Sequence, residues 1–170
     1  CGLPPTDRAV LATCGVGSTS PANGDGWSGA TTLDVEWAHA IAPAAKIVLL
    51  VARSNDDADI LDVTQYMVDH SSGDVLSQSF GEAEQCMDPA QLTRQHAIFK
   101  AATAKGITLF VSAGDQGAGM PTCSGTPAYF KATSTPASDP NVTSVGGTTL
   151  VADGISGAYG SESTWNESDV

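Results

Sequence analysis

The sequence has 170 residues, 41% of them apolar and 6% aromatic, enough for one domain or a large piece of a bigger one, with a core built mainly from Ala, Val, Ile and Leu. Nineteen acidic residues face seven basic ones, a formal charge of −12, which argues against nucleic acid and against membrane association, since both are reached through basic patches. No apolar run approaches the roughly 20 residues that cross a bilayer.

The acids are spread along the chain rather than gathered in blocks, so no disordered acidic tail is expected. Two readings of the charge stand side by side: a protein built for acidic surroundings, where few basic groups limit positive self-repulsion, and ordinary solubility. The chain does not begin with Met and has no charged-then-apolar leader, which suggests a mature or processed product.

Residues 1–29 are rich in Gly, Pro, Ser and Thr and read as a loop-heavy lead-in. From Thr31 to Ala42 the pattern turns helical, with Leu33, Trp37, Ala40 and Ile41 on one stripe. Thr31 or Thr32 can cap its start, and Pro43 follows its end. Lys46–Ala52 is a continuous apolar run of strand length, as in a strand covered on both faces. Asp56–His70 returns to helical spacing, with acids at the start, where the helix dipole favours them. Asp74–Gly81 reads as a second strand and Pro89–Gly106 as a long helix with Pro in its first turn and Gly at its C-cap. Ile107–Asp115 is a third buried strand, and Asn141–Val151 a fourth, broken at Gly146-Gly147. Residues 152–170 read as a polar, irregular tail. Strands alternating with helices imply an α/β fold with right-handed crossovers and a mostly parallel sheet over 30–151, all within one domain. In such sheets ligands bind beyond the carboxyl ends of the strands, which here carry Ser79-Phe80-Gly81 and Gly114-Asp115-Gln116-Gly117.

Four cysteines, Cys1, Cys14, Cys86 and Cys123, contain no C-x-x-C pair, which disfavours zinc. Their even count and wide spacing suggest Cys1–Cys14 and Cys86–Cys123 disulfides in an oxidising compartment, hence a secreted, extracellular protein. Asn141 and Asn166 open N-x-[ST] sequons.

Asp115 sits between glycines that let a ligand approach the backbone, though an Asp bonding its own turn has the same sequence signature. His39, His70 and His96 all fall in or at the end of helical stretches, and no G-x-S-x-G elbow is present, so a His-based triad is not expected. Ser124-Gly125-Thr126-Pro127 follows Cys123 and reads as a disulfide-anchored loop.

The segments LDVEWAHAIAP, SQSFGEAE, LFVSAGDQG, NVTSVGGTTL and SESTWNE, in this order, resemble the sedolisin family of serine-carboxyl peptidases, especially bacterial secreted members. The resemblance implies a subtilisin-like fold and peptide-bond cleavage in acid by a Ser nucleophile with a Glu general base. A tuned carboxylate serves as base where an imidazole stays protonated. It also implies roles residue by residue. Asp34 matches the Asp that orients the Glu, and Asp115 matches the oxyanion Asp, which must be protonated to donate a hydrogen bond. Ser79, Phe80 and Gly81 match the stretch that lines the substrate cleft, with Phe in place of Trp, where a peptide can pair its backbone.

Two departures bear on activity. The family's Glu stands one turn before the orienting Asp, and that position is Ala30. The nucleophilic Ser belongs to a Gly-Thr-Ser motif downstream of Trp165, and no such motif occurs in these residues. The family's calcium site would also lie in that later part, so no cofactor or metal is expected in this chain. Glu36, two residues from Asp34, lies roughly 200° away round a helix and faces elsewhere. Asp25, in the Gly-rich lead-in, is the remaining candidate to stand in for the Glu.

The expected protein is therefore the N-terminal chain of a sedolisin-type endopeptidase, inactive alone, acting on protein or peptide substrates and bound to a complementary C-terminal chain. The alternative is a pseudopeptidase scaffold that binds peptide or a protein partner without cleaving it.

Overall fold

The computed structural model describes residues 8–13, 25–124 and 128–165. It divides into two compact units, one of residues 1–74 with 100–107, the other of residues 75–99 with 108–170.

In the first unit, β1 (Arg8–Thr13) pairs in parallel with β2 (Ile47–Val51), Arg8 opposite Ile47 and Val10 opposite Leu49. β1 lies inside the stretch expected to be loop, because Val10 and Leu11 make too short an apolar run to stand out among the surrounding Gly and Pro. The helix α1 (Asp25–Ile41) also begins six residues before the expected Thr31, so neither Thr31 nor Thr32 caps it. Gly26 and Gly29 are poor helix formers, each about 1 kcal/mol worse than Ala, and they hid its first turns; tertiary context overrides that preference here. Asp25 opens the helix rather than lying in a loop.

The apolar stripe of α1 does not pack as its period suggests. Leu33, Trp37 and Ile41 are 56%, 63% and 79% exposed. The half-buried positions are Ala30, Thr31, Val35 and His39. Thr31, Val35 and His39 are four residues apart, so the helix turns that line inward and presents the apolar stripe outward.

Helix α2 (Asp57–His70) follows the expected span, with Asp56 as N-cap and Ser71 in the left-handed region at its end. Its buried face holds Leu61, Val63, Thr64, Met67 and Val68. Asp59 in its first turn is buried and held by Arg53, at 2.6 Å and 3.2 Å, and by the Ser54 hydroxyl at 2.7 Å. The Lys105 ammonium donates to the Val68 carbonyl at 2.6 Å, a cation on the C-terminal turn of α2.

In the second unit, β3 (Val75–Gln78), β5 (Thr108–Ser112) and β9 (Thr143–Val145) form a parallel sheet in the order β3-β5-β9. Leu109 and Val111 of β5 are buried while Thr108 and Phe110 are exposed, so the strand is packed on one face rather than both. The helix α3 (Pro89–Ala104) connects β3 to β5, with Phe99 fully buried and Gly106 beyond its end at φ +80.

Short antiparallel pairs complete the unit. β4 (Glu82–Ala83) pairs with β8 (Ser134–Thr135), and β6 (Gly119–Pro121) with β7 (Tyr129–Lys131). The fourth expected strand is two elements, β9 and β10 (Thr148–Ala152), separated at Gly146-Gly147. The expected irregular tail contains β11 (Tyr159–Thr164), antiparallel to β10. Its Gly, Ser and Glu content masked it; what makes it a strand is its pairing, Thr148 opposite Thr164 and Leu150 opposite Glu162. Cys86 and Cys123 form a disulfide, as expected from their spacing. Cys1, Cys14 and Asn166 lie outside the described residues.

The parallel strands joined by helices establish an α/β fold.

Candidate active site

β3 and β5 run parallel with Gln78 opposite Val111, so their carboxyl ends finish at the same edge of the sheet. Ser79, Phe80 and Gly81 leave β3 there. The turn Ala113–Gly117 leaves β5 beside it, tied to β9 by the Ala113 amide, which donates to the Val145 carbonyl at 2.8 Å. The structure therefore brings together the two strand-end segments that the sequence singled out. Ser79 and Gly81 are exposed and Phe80 is half-buried.

Asp115 is exposed in the middle of that turn. Gly114 and Gly117 take φ +98 and +61, values an L side chain rarely adopts, so these glycines shape the turn that presents the carboxyl group. The disulfide between Cys86 and Cys123 anchors the segment after Gly81 to the loop after β6.

A cavity of about 210 Å³ opens at the same edge, lined by Ala113, Gly117, Ala132–Ser134, Ala137 and Ser144. Gly81 abuts Ser134 of that lining: a Cβ on it would lie 2.5 Å from Ser134 Oγ and 2.7 Å from the Thr135 carbonyl oxygen. The cavity was not anticipated from sequence, because small neutral residues carry no motif. The nearest signal was the Gly–Asp–Gln–Gly turn that forms its rim.

In the first unit, Ala30 and Asp34 stand four residues apart on α1 and share a face. Asp34 is exposed, and Ala30, one turn before it, is half-buried and carries only a methyl group. Glu36 is exposed, two residues round the helix from Asp34, and His39 is half-buried on the inward line. The other histidines are engaged in structure. His70 Nδ1 bonds the Tyr66 carbonyl at 2.9 Å, and its ring stacks on Tyr66. His96 Nδ1 lies 3.0 Å from Asp139 Oδ2, and the other oxygen of that carboxylate accepts from the Asn141 amide side chain at 2.8 Å.

Among the described residues no group of three or more His, Cys, Asp or Glu is placed to hold a metal ion. No helix among them is long and apolar enough to cross a membrane.

Comparison with known proteins follows the same lines. Residues 16–168 match the model of the Peptidase S8, or subtilase, family. Kumamolisin from Bacillus sp. (strain MN-32) is 32% identical over 154 residues, 89% of this chain and 27% of that protein. Sedolisin from Pseudomonas sp. (strain 101) is 42% identical over 96 residues, 55% of this chain and 16% of that protein. A solved structure of Pseudomonas sedolisin, a serine-carboxyl proteinase complexed with two molecules of pseudo-iodotyrostatin, superposes with a TM-score of 0.81 at 30% identity. It covers 98% of this chain and 46% of that chain. The chain thus spans less than half the length of each of these relatives.

Proposed function

The chain belongs to the subtilase family as a sedolisin-type member with a subtilisin-like fold, and from that premise we propose that it is the N-terminal part of the catalytic domain of a secreted, acid-acting serine-carboxyl endopeptidase. Asp115 carries the reading. Its exposed carboxyl group sits in a glycine-shaped turn at the carboxyl end of a parallel strand, beside the Ser79–Gly81 segment that a peptide backbone can pair with. Protonated Asp115 donates to the carbonyl oxygen as it takes on charge. Asp34 holds the position from which the family's base would be oriented.

The base itself is what this chain lacks. The position matched to the general base, on the Asp34 face, is Ala30 and carries no carboxylate to take the proton of an attacking Ser. Removing one member of such a cooperating set lowers turnover on the order of 10⁴-fold or more. That observation favours a second reading, a pseudopeptidase that holds peptide or a protein partner in the same cleft without cutting it.

The nucleophilic Ser and the calcium site are assigned to a complementary C-terminal chain of the same precursor. The outward Leu33, Trp37 and Ile41 stripe, on the same helix as Asp34, supports such a partner, since bare apolar stripes mark docking surfaces. The Cys86–Cys123 disulfide supports secretion into an oxidising compartment.

The test is hydrolysis of labelled protein and of a peptide library at about pH 3–5, with the downstream chain present. Cleavage lost on Asp34→Ala supports the peptidase. Peptide binding without turnover, converted to cleavage by Ala30→Glu, supports the pseudopeptidase. Absence of both binding and cleavage rejects both.

A further inference from the structure

We propose that the Asp139–Pro140 peptide bond is a latent self-cleaving bond, and that His96 and Asn141 keep it whole in acid by holding both oxygens of the Asp139 carboxyl group. The inference stands apart from the peptidase reading, because the chemistry needs only acid and water.

The sequence has two Asp–Pro bonds, Asp88–Pro89 and Asp139–Pro140. Such a bond carries its own reagent. A side-chain carboxylate oxygen attacks the main-chain carbonyl carbon of the same aspartate and closes a five-membered ring through Cγ, Cβ and Cα. The C–N bond breaks as the proline nitrogen takes a proton and leaves as a secondary amine. Proline leaves well, because its nitrogen, which carries no N–H, holds a second alkyl carbon and is the more basic. Water then opens the cyclic anhydride to a C-terminal aspartic acid, so the sum is hydrolysis of one peptide bond by one water. The attack needs a carboxylate oxygen that can turn back on its own carbonyl.

At Asp139 both oxygens are held. Oδ1 accepts from the Asn141 main-chain amide and from its side-chain Nδ2, each at 2.8 Å. Oδ2 lies 3.0 Å from Nδ1 of His96 on α3, and in acid an imidazole is protonated and both its ring nitrogens donate. Of the described residues bonded to this carboxyl group, His96 is the one that titrates. The Asp139 side chain is only 5% exposed, while Pro140 is exposed, so water reaches the bond. The main chain is held as well: the Asp139 amide donates to the Pro136 carbonyl at 3.1 Å, and its carbonyl accepts from the Val142 amide at 3.2 Å.

Asp88 is the contrast. It is exposed and caps α3 through one oxygen, Oδ1, which accepts from the Ala90 amide at 2.8 Å and the Gln91 amide at 3.4 Å. The consequences of a cut also differ. The Cys86–Cys123 disulfide spans Asp88–Pro89, so scission there leaves the pieces joined. No cysteine of this sequence lies beyond Asp139, so scission at Pro140 leaves β9 attached to β5 by strand pairing alone. The closely held bond is the one whose loss would release a strand of the parallel sheet.

The test incubates the full-length protein, downstream part included, at the lowest pH at which circular dichroism shows parent and variants folded. Mass spectrometry under reducing conditions counts chains ending at Asp88 and at Asp139. In the parent, scission after Asp88 is expected to outrun scission after Asp139 by about tenfold or more, the weight of a hydrogen bond to a charged group. His96→Ala is expected to raise scission after Asp139 by a similar factor and to leave Asp88 unchanged. Asp139→Asn in that background removes the attacking carboxylate and is expected to suppress it. Should His96→Ala unfold, Asn141→Ala, which removes one donor from Oδ1, takes its place. A folded variant cut after Asp139 no faster than the parent overturns the proposal. An acceleration shared equally by Asp88 marks general loosening and overturns it too. So does a rate that rises with protein concentration, the sign of one molecule cutting another.

Discussion

Replacing Gly81 by Ala isolates one close contact behind the cleft. Gly81 is outside the left-handed region, so its backbone conformation does not require glycine. Space does. The new Cβ would stand 2.5 Å from Ser134 Oγ and 2.7 Å from the Thr135 carbonyl oxygen, whereas even close C–H···O contacts keep carbon and oxygen about 3.3–3.6 Å apart. The separations must grow by roughly 0.6–0.8 Å to reach that range. Ser134 can swing its hydroxyl aside; the Thr135 carbonyl belongs to the backbone. Thr135 is moreover buried, paired with Glu82, and held by Gln95 Nε2 on its own hydroxyl at 2.9 Å. The strain therefore falls on the β4–β8 pairing. Overpacking of this kind costs about 1–3 kcal/mol, which lowers Tm by about 2–12 °C in a domain of this size. Thermal unfolding followed by circular dichroism measures it. Combining the change with Ser134→Ala removes only the hydroxyl half of the clash and should restore part of the loss. A Gly81→Ala variant that melts within about 1 °C of the parent, or one fully restored by Ser134→Ala, refutes the argument.

Other changes probe separate features. The Arg53 guanidinium and then the Ser54 hydroxyl hold the Asp59 carboxyl below the usual aspartate range. The unfolded chain therefore takes up the proton first, and the stability Asp59 contributes is present above about pH 4 and lost as the pH falls further. Asp59→Asn should flatten the acid limb of a stability–pH curve, and an unchanged limb would remove the ion pair from the account. Serine at both Cys86 and Cys123 opens a link between residues 37 apart in sequence and should cost about 2–4 kcal/mol by urea unfolding under non-reducing conditions; equal midpoints would show the bridge to be dispensable. In a cleaving form of the protein, Asp115→Ala should lower kcat by about 10²–10³ with KM little changed. A KM effect alone would make Asp115 a turn residue.

Much of this architecture was legible before the structure. β2, α2, β3, α3 and β5 announce themselves by unbroken apolar runs or a helical period, each long enough to dominate its own window. What stayed hidden depends on partners distant in sequence: β11 is a strand through β10, β4 through β8, and β1 through β2. The α1 stripe shows a different limit. Periodicity correctly marks Leu33, Trp37 and Ile41 as one face, but it does not say whether that face meets the core. In the site, glycines on both sides made Asp115 conspicuous. Asp34 and Ala30 became meaningful only through resemblance, because a lone helix Asp is ordinary. The cavity wall had no signature at all, since alanines at 113, 132 and 137 meet only once the sheet is folded.

The β10–β11 hairpin has a practical consequence. All residues of both its strands are exposed, Leu150, Val151 and Tyr159 among them. A two-stranded ribbon without a covered face is marginal by itself, so its backbone amides are protected only by their own ladder. Their hydrogen exchange consequently runs at a rate set by local opening, and slows toward that of the core once something settles on either face. The hairpin is thus an intrinsic gauge of assembly, readable at single amides without a label or an activity assay.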